Sequence, residues 1–233
     1  MRQTNHSSPT ARSAVLALLL LAPVPTVGVA VAMYTAPGPA GQLVFAVAKI
    51  WLVAFPALWY LTVEGGRAGW SPPRRGGFAT AFAIGALMAA VIAITYLVGR
   101  SQLVDPSLLR QTAGELRLDR AGLYLAGAGY WIFVNSVIEE YVYRWFVLRQ
   151  LRALMTDGLA VVGSAVVFTV HHTVAMADYL QAGPNALATL GVFSAGACWS
   201  WLYLRYRSIW IPWIAHAIAD VAIFVIGWHI IFG

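Results

Sequence analysis

Seven apolar runs separated by short polar stretches organise this chain. They cover approximately residues 13–34, 42–63 and 78–98, a stretch from 123 to the arginines near 149, and then 159–176, 186–204 and 209–232. Each is long enough for a helix rising about 1.5 Å per residue to cross a hydrocarbon layer of about 30 Å. The pattern predicts seven membrane-spanning helices. Pro23 and Pro25 interrupt the first run, and the third is rich in Ala and Gly, which permits close helix packing. Residues 100–120 break the pattern by mixing Leu103, Leu108, Leu109, Leu116 and Leu118 with Asp105, Arg110, Glu115, Arg117 and Asp119. An amphipathic segment lying at the interface is expected there, with a soluble linker as the other reading. The fold class is therefore all-α: a polytopic bundle of about seven transmembrane spans plus an interfacial segment. It divides into a polar tail at 1–12 and a single bundle over 13–233.

Composition agrees. The 233 residues are 60% hydrophobic and 10% charged, and the mean hydropathy is +0.72, far from a soluble domain. The polar start, leucine-rich first run and small residues Ala30 and Ala32 also fit a secretory signal peptide, whose removal would leave the remaining topology unchanged. The net charge of +6 does not point to nucleic acid, because the arginines lie between spans rather than along one stripe. They read as topology signals. Arg2, Arg12, Arg67, Arg74, Arg75, Arg149, Arg152, Arg205 and Arg207 fall on one side. The other side holds only Arg100, Arg110, Arg117 and Arg120, all in the charge-balanced segment. This distribution predicts a cytoplasmic N-terminus and an outside C-terminus. Lys49 is the only lysine. With abundant Ala, Gly and Arg it hints at a bacterial source and hence an inner (plasma) membrane location. Lys49 itself is read as structural, snorkelling to the interface. Cys198, the single cysteine, is read as packing.

Three polar clusters interrupt three different spans: Glu139, Glu140 and Arg144; His171 and His172; His216 and Asp220. Intramembrane charges are expensive to insert, so such groups usually face a protein interior or wet cavity and mark function. Glu140 and Arg144 are four residues apart and face one another on a helix, so their pair has an architectural reading. Glu139 points about 100° away, on the stripe shared with Asn135 and Tyr143, with no obvious basic partner. His216 and Asp220 share a face, and Phe168 lies one turn before His172 as an aromatic wall. Helical rise places Glu139 about 15 Å from the arginines after it, His216 about 14 Å from Arg207 and His172 about 20 Å from Asp157, so all three clusters can converge at one depth.

A carboxylate in an apolar cavity is a competent general base toward water, and a histidine can share that water. A second imidazole with a polar group at i+4 can donate to a developing oxyanion. These parts suffice for hydrolysis of an amide without a cofactor. A zinc site assembled from Glu139, His172 and His216 uses much the same residues. His171 and His172, being adjacent and pointing about 100° apart, are not expected to ligate together. His171 and His229 are read as helix-to-helix hydrogen-bonding groups.

The motifs Glu139-Glu140-Tyr141-Val142-Tyr143-Arg144 (EExxxR), Phe168-Thr169-Val170-His171-His172 (FxxxH) and His216-Ala217-Ile218-Ala219-Asp220 (HxxxN/D) occur in this order on separate spans. Over about residues 121–225 the chain thereby resembles the CPBP family of intramembrane proteases, which includes the CAAX prenyl proteases and the bacterial bacteriocin-processing Abi proteins. The resemblance implies that Glu139 is the water-activating base, assisted by His172, that His216 and Asp220 form the oxyanion side, and that Glu140 and Arg144 are mainly architectural. Asp220 departs from the asparagine often found there, and donates a hydrogen bond only when protonated. The family has been described both as metalloproteases and as glutamate-dependent proteases. The expected activity is an intramembrane endopeptidase acting on a membrane-anchored protein or peptide substrate within the lipid bilayer. A proton-coupled transporter, with the same groups as a relay at successive depths, and a non-catalytic peptide-binding scaffold are the alternatives.

Overall fold

The computed structural model describes residues 9–233, so most of the expected tail at 1–12 lies outside the described residues. Eight helices and no strand make up the described residues: α1 (Ala11–Thr35), α2 (Pro39–Thr62), α3 (Phe78–Leu103), α4 (Pro106–Glu115), α5 (Ala121–Arg152), α6 (Asp157–Met176), α7 (Ala182–Tyr206) and α8 (Trp210–Phe232). All but α4 are long and apolar enough to cross a membrane. Thr10 starts α1 by accepting from the Ser13 amide, and a turn at Ala22 and Pro23 interrupts the α-helix between Leu21 and Val24 without ending the span.

Polar contacts tie the loops into two ends. At one, Ser208 Oγ donates to the Ser71 carbonyl at 2.7 Å and Arg149 pairs with Glu64 at 2.8 Å. At the other, Tyr34 Oη donates to the Val174 carbonyl and Arg110 Nε to the Ile230 carbonyl, both at 2.8 Å. The Arg110 contact fastens α4 onto the end of α8. Residues 106–115 therefore form a helix packed against the bundle rather than a free linker. Asp105 caps it, accepting from the amides of Ser107 and Leu108.

Helix α8 runs along α3, and α6 along α7, while α5 is held between α8, α6 and α2. Small residues make the first of these contacts close: a Cβ on Gly85 would stand 3.0 Å from Ala215 Cα and 3.0 Å from Ile218 Cβ. The main core gathers Val142, Phe146, Phe168, Trp199, Leu202 and Ile211 from α5 to α8, with Leu52 and Phe55 from α2. The polar clusters sit against this core.

Helix α5 is not a regular α-helix. Tyr130–Asn135 and Glu140–Val147 are π-helical, flanking the single α-helical turn Ser136–Glu139. Such i→i+5 turns are rare and concentrate at functional sites. Here they lie on both sides of Glu139.

Candidate active site

The wider π turn rotates the chain less per residue, so the adjacent glutamates both face the protein interior: Glu139 is 7% exposed and Glu140 is fully buried. They meet on a single imidazole. His216 Nδ1 lies 2.9 Å from Glu140 Oε1, and its Nε2 lies 3.6 Å from Glu139 Oε2. A carboxylate only accepts, so Nδ1 carries the proton it donates to Glu140. The second oxygen of Glu140 stands 3.3 Å from Arg144 Nε. Glu140 is thus more than a helix buttress, since it orients His216 as well as pairing with arginine.

Arg144 is completely buried, and its guanidinium lies over Phe168 at 4.6 Å and Trp199 at 5.5 Å from the ring centres. Its terminal nitrogens have no hydrogen-bond acceptor among the described residues, so aromatic faces and Glu140 compensate its charge. The same two rings confine the histidines. Trp199 stacks on His216 at 3.9 Å with an 18° tilt, and Phe168 packs 4.4 Å from His172 and 6.1 Å from His216. Phe168 is therefore an aromatic wall shared by both imidazoles and by the guanidinium.

On α6, His172 Nδ1 lies 2.9 Å from the Phe168 carbonyl, an oxygen that can only accept. That contact puts the proton on Nδ1 and turns the Nε2 lone pair toward Glu139 Oε1, 4.0 Å away. His171 behaves differently from the sequence expectation. Its Nε2 is 3.9 Å from the same Glu139 oxygen, while Nδ1 meets Tyr143 Oη at 3.2 Å. The two rings lie 4.0 Å apart with a 47° tilt, so side-chain rotation overcomes the angular separation of the backbone positions. Three imidazole Nε2 atoms, from two helices, thus surround one buried carboxylate at 3.6–4.0 Å. These separations are too long for direct hydrogen bonds.

Asp220, partly exposed, places Oδ1 3.7 Å from His216 Nε2, on the Glu139 side of that ring. Orientation of His216 comes from Glu140 at the opposite nitrogen. Structure thus brings Glu139, Glu140, Arg144, Phe168, His172, His216 and Asp220 together. His229 is exposed at the far end of α8, edge-on to Tyr96.

Among the described residues, Glu139, His171 and His172 offer ligand atoms that lie within 4.8 Å of one another. This group holds His171 where spacing had suggested His216 beside Glu139 and His172, and it brings together the adjacent histidines that spacing had set apart. The donors suit zinc: two imidazoles, each fixed through its other nitrogen, and a carboxylate.

A further residue arrives from outside the motifs. Lys49 of α2 does not snorkel to an interface; its ammonium lies 2.6 Å from Asn135 Oδ1, one turn before Glu139 on α5. The signal in the sequence was the lone lysine in an apolar run and the stripe shared by Asn135 and Glu139, but the link between helices was not readable.

Residues 121–222 match the family model described as type II CAAX prenyl endopeptidase Rce1-like. No curated protein and no solved structure matches the chain. The matched segment runs from the start of α5 into α8, and so contains all three motifs. Over residues 121–222 the chain is thus similar to the Rce1-like type II CAAX prenyl endopeptidases, a match that supports the likeness to the CPBP family of intramembrane proteases.

Proposed function

We propose that this protein is an intramembrane endopeptidase in which Glu139 activates water for attack on a peptide bond of a membrane-anchored protein or peptide. The observation carrying this reading is the convergence of the Nε2 atoms of His171, His172 and His216 on the buried Glu139 carboxylate. Glu139 takes one proton as the water oxygen bonds to the substrate carbonyl carbon. His172, with its lone pair directed inward, accepts a hydrogen bond from the same water and holds it in line. The oxyanion is stabilised by donors on the His216 and Asp220 side. In its imidazolium form His216 donates from both nitrogens, to Glu140 through Nδ1 and toward the reacting centre through Nε2. The proton taken by Glu139 passes to the leaving nitrogen, the C–N bond breaks, and a carboxylic acid and an amine result.

Glu139, His171 and His172 support a second reading, in which a divalent ion such as zinc is held there. A bound zinc supplies Lewis-acid polarisation and an acidic water. Under both readings Glu140 and Arg144 position the site, and Phe168 and Trp199 keep it enclosed. A transporter relay requires titratable groups at successive depths, whereas these gather around one carboxylate.

The arginines at the ends of α2, α5 and α7 favour placing that end in the cytoplasm, with the C-terminus outside and the site opening toward the cytoplasmic half. A bacterial inner membrane is the location consistent with the composition. The test is proteolysis by purified protein, wild type beside Glu139→Gln, against peptides from membrane-anchored substrates, with and without a strong chelator. Cleavage that Glu139→Gln abolishes and chelator leaves untouched supports glutamate-activated water. Loss with chelator, restored by zinc, supports the metal reading. Cleavage that survives in Glu139→Gln overturns both.

A further inference from the structure

At the end of the bundle where Arg149 pairs with Glu64, three arginines gather around a cavity that the proposed chemistry does not use. Trp70, Pro72, Arg74 and Arg75 of the loop between α2 and α3 meet Tyr206 and Arg207 at the end of α7 around a space of about 340 Å³. No carboxylate lines it. Among the described residues none of these arginines is in a salt bridge. Glu64 is held by Arg149, and Asp157, which also senses Arg207, is held by Arg152 at 2.7 Å. Trp70 is 89% exposed, more than any other large apolar side chain among the described residues.

The loop is fastened over the turn that follows α7. Ser208 Oγ donates to the Ser71 carbonyl at 2.7 Å, and the Ile209 amide donates to Ser71 Oγ at 3.0 Å. Gly77 closes on the ring of Tyr206, where a Cβ would stand 2.6 Å from a ring carbon, and the Tyr206 hydroxyl bonds Thr80 Oγ1 at 2.9 Å. Arg207 holds a left-handed φ of 55°, and such conformations gather at ligand clamps. A topology signal needs only positive charges on one side, not guanidiniums brought from two segments to one cavity. Helices α3 and α8 begin here and α7 ends here, so two positive helix ends outweigh one negative end.

We propose that this cavity binds the phosphate group of an anionic phospholipid, with Trp70 lying in the headgroup layer beside it. Guanidiniums offer paired N–H donors to phosphate oxygens, and indole rings favour the membrane–water boundary. The cavity lies where three helices long enough to span a membrane start or stop, which is the level of the headgroups, so a lipid reaches it without leaving its leaflet. An occupant ties the loop to the start of α8, the helix that carries His216. The site requires only that the chain lies in a bilayer, and so stands apart from the protease reading.

The experiment measures binding of phosphatidylglycerol and of phosphatidylcholine, each carrying the same fluorescent acyl chain, to the full chain in detergent by fluorescence anisotropy. Phosphatidylglycerol should bind at least about tenfold more tightly. Arg74→Gln, Arg75→Gln and Arg207→Asn should each weaken it about fivefold, asparagine being chosen because it tolerates the left-handed backbone. Arg67→Gln, in the same loop but outside the cavity, should change it less than about twofold. All three cavity arginines are exposed, so the folding of no single variant decides the result. Excess inorganic phosphate should leave most of the lipid bound. Equal affinity for the two lipids, or a loss in Arg67→Gln as large as in the cavity variants, overturns the site and leaves the arginines as a diffuse topology signal. Full displacement by inorganic phosphate overturns the lipid as occupant and makes the cavity a site for soluble phosphate.

Discussion

Glu140→Gln separates support from chemistry. Glu140 is fully buried, with one oxygen 3.3 Å from the Arg144 guanidinium and the other 2.9 Å from His216 Nδ1. The substitution keeps the shape and an acceptor for His216 but removes the charge facing a guanidinium that is itself completely buried. Breaking one half of a buried pair destabilises by about 3–5 kcal/mol, because the remaining charge is uncompensated. Here the aromatic faces of Phe168 and Trp199 carry part of that charge, which places the expected loss near the lower figure. Against a total stability of about 5–15 kcal/mol, such a loss lowers folded yield and thermal midpoint markedly. Removing both partners, Glu140→Gln with Arg144→Met, should recover much of the stability, since no orphan charge remains. The assay is thermal unfolding in detergent with folded yield by gel filtration, followed by turnover per folded molecule. Folded Glu140→Gln should keep measurable turnover, reduced about 10–100-fold because His216 loses a charged orienting partner. Folded Glu139→Gln should have normal yield and no turnover. Normal yield with complete inactivity in Glu140→Gln would refute this division between the two glutamates. A double variant no more stable than the single one would refute the charge accounting behind it.

Asp220→Asn should retain kcat/KM within about tenfold if the position donates a hydrogen bond, whereas complete inactivity would favour an orienting carboxylate or a ligand. His172→Ala should reduce turnover by at least about 100-fold with folding intact, since its Nε2 faces Glu139; comparable activity would remove it from the chemistry. Under the metal reading, His171→Ala should lower bound zinc measured by elemental analysis, while under glutamate-activated water neither preparation should need zinc. Gly85→Val should destabilise the bundle by about 1–3 kcal/mol, read as a lower thermal midpoint, because its branched side chain enters the contact with Ala215 and Ile218. Outside the spans, hydrogen bonds from the Ser107 hydroxyl and then the Leu108 and Ser107 amides hold the Asp105 carboxyl below the usual carboxylate range. Its cap on α4 is therefore fully present above that range and is lost as pH falls through the lowered value. Faster exchange of the Ser107 and Leu108 amides on acidification, absent in Asp105→Ala, is the expected result.

The seven spans were legible in the sequence, because a bilayer imposes its thickness directly on the length of apolar runs, whereas residues 100–120 read as an interfacial segment or a linker and only the structure shows the helix Pro106–Glu115 there. The gathering of Glu139, His172, His216 and Asp220 at one depth was legible too. Regular helical rise converts sequence distance into height, and intramembrane charges must find one another. Rotation about each helix and reach between helices were not legible. Spacing put Glu139 and Glu140 about 100° apart, yet π turns on either side of Glu139 bring both onto His216. Spacing also separated His171 from His172, yet side-chain torsions return both imidazoles to one carboxylate oxygen. Lys49 pointed to an interface by its position in α2, and only the packing of α2 against α5 turned it inward to Asn135. Sequence alone thus determined which helices are long and apolar enough to cross a membrane and where along each the polar groups lie, since solvent and helical geometry act on each segment separately. Which nitrogen faces which oxygen was decided by the tertiary structure, because that depends on how several helices rotate to bury their charges against one another.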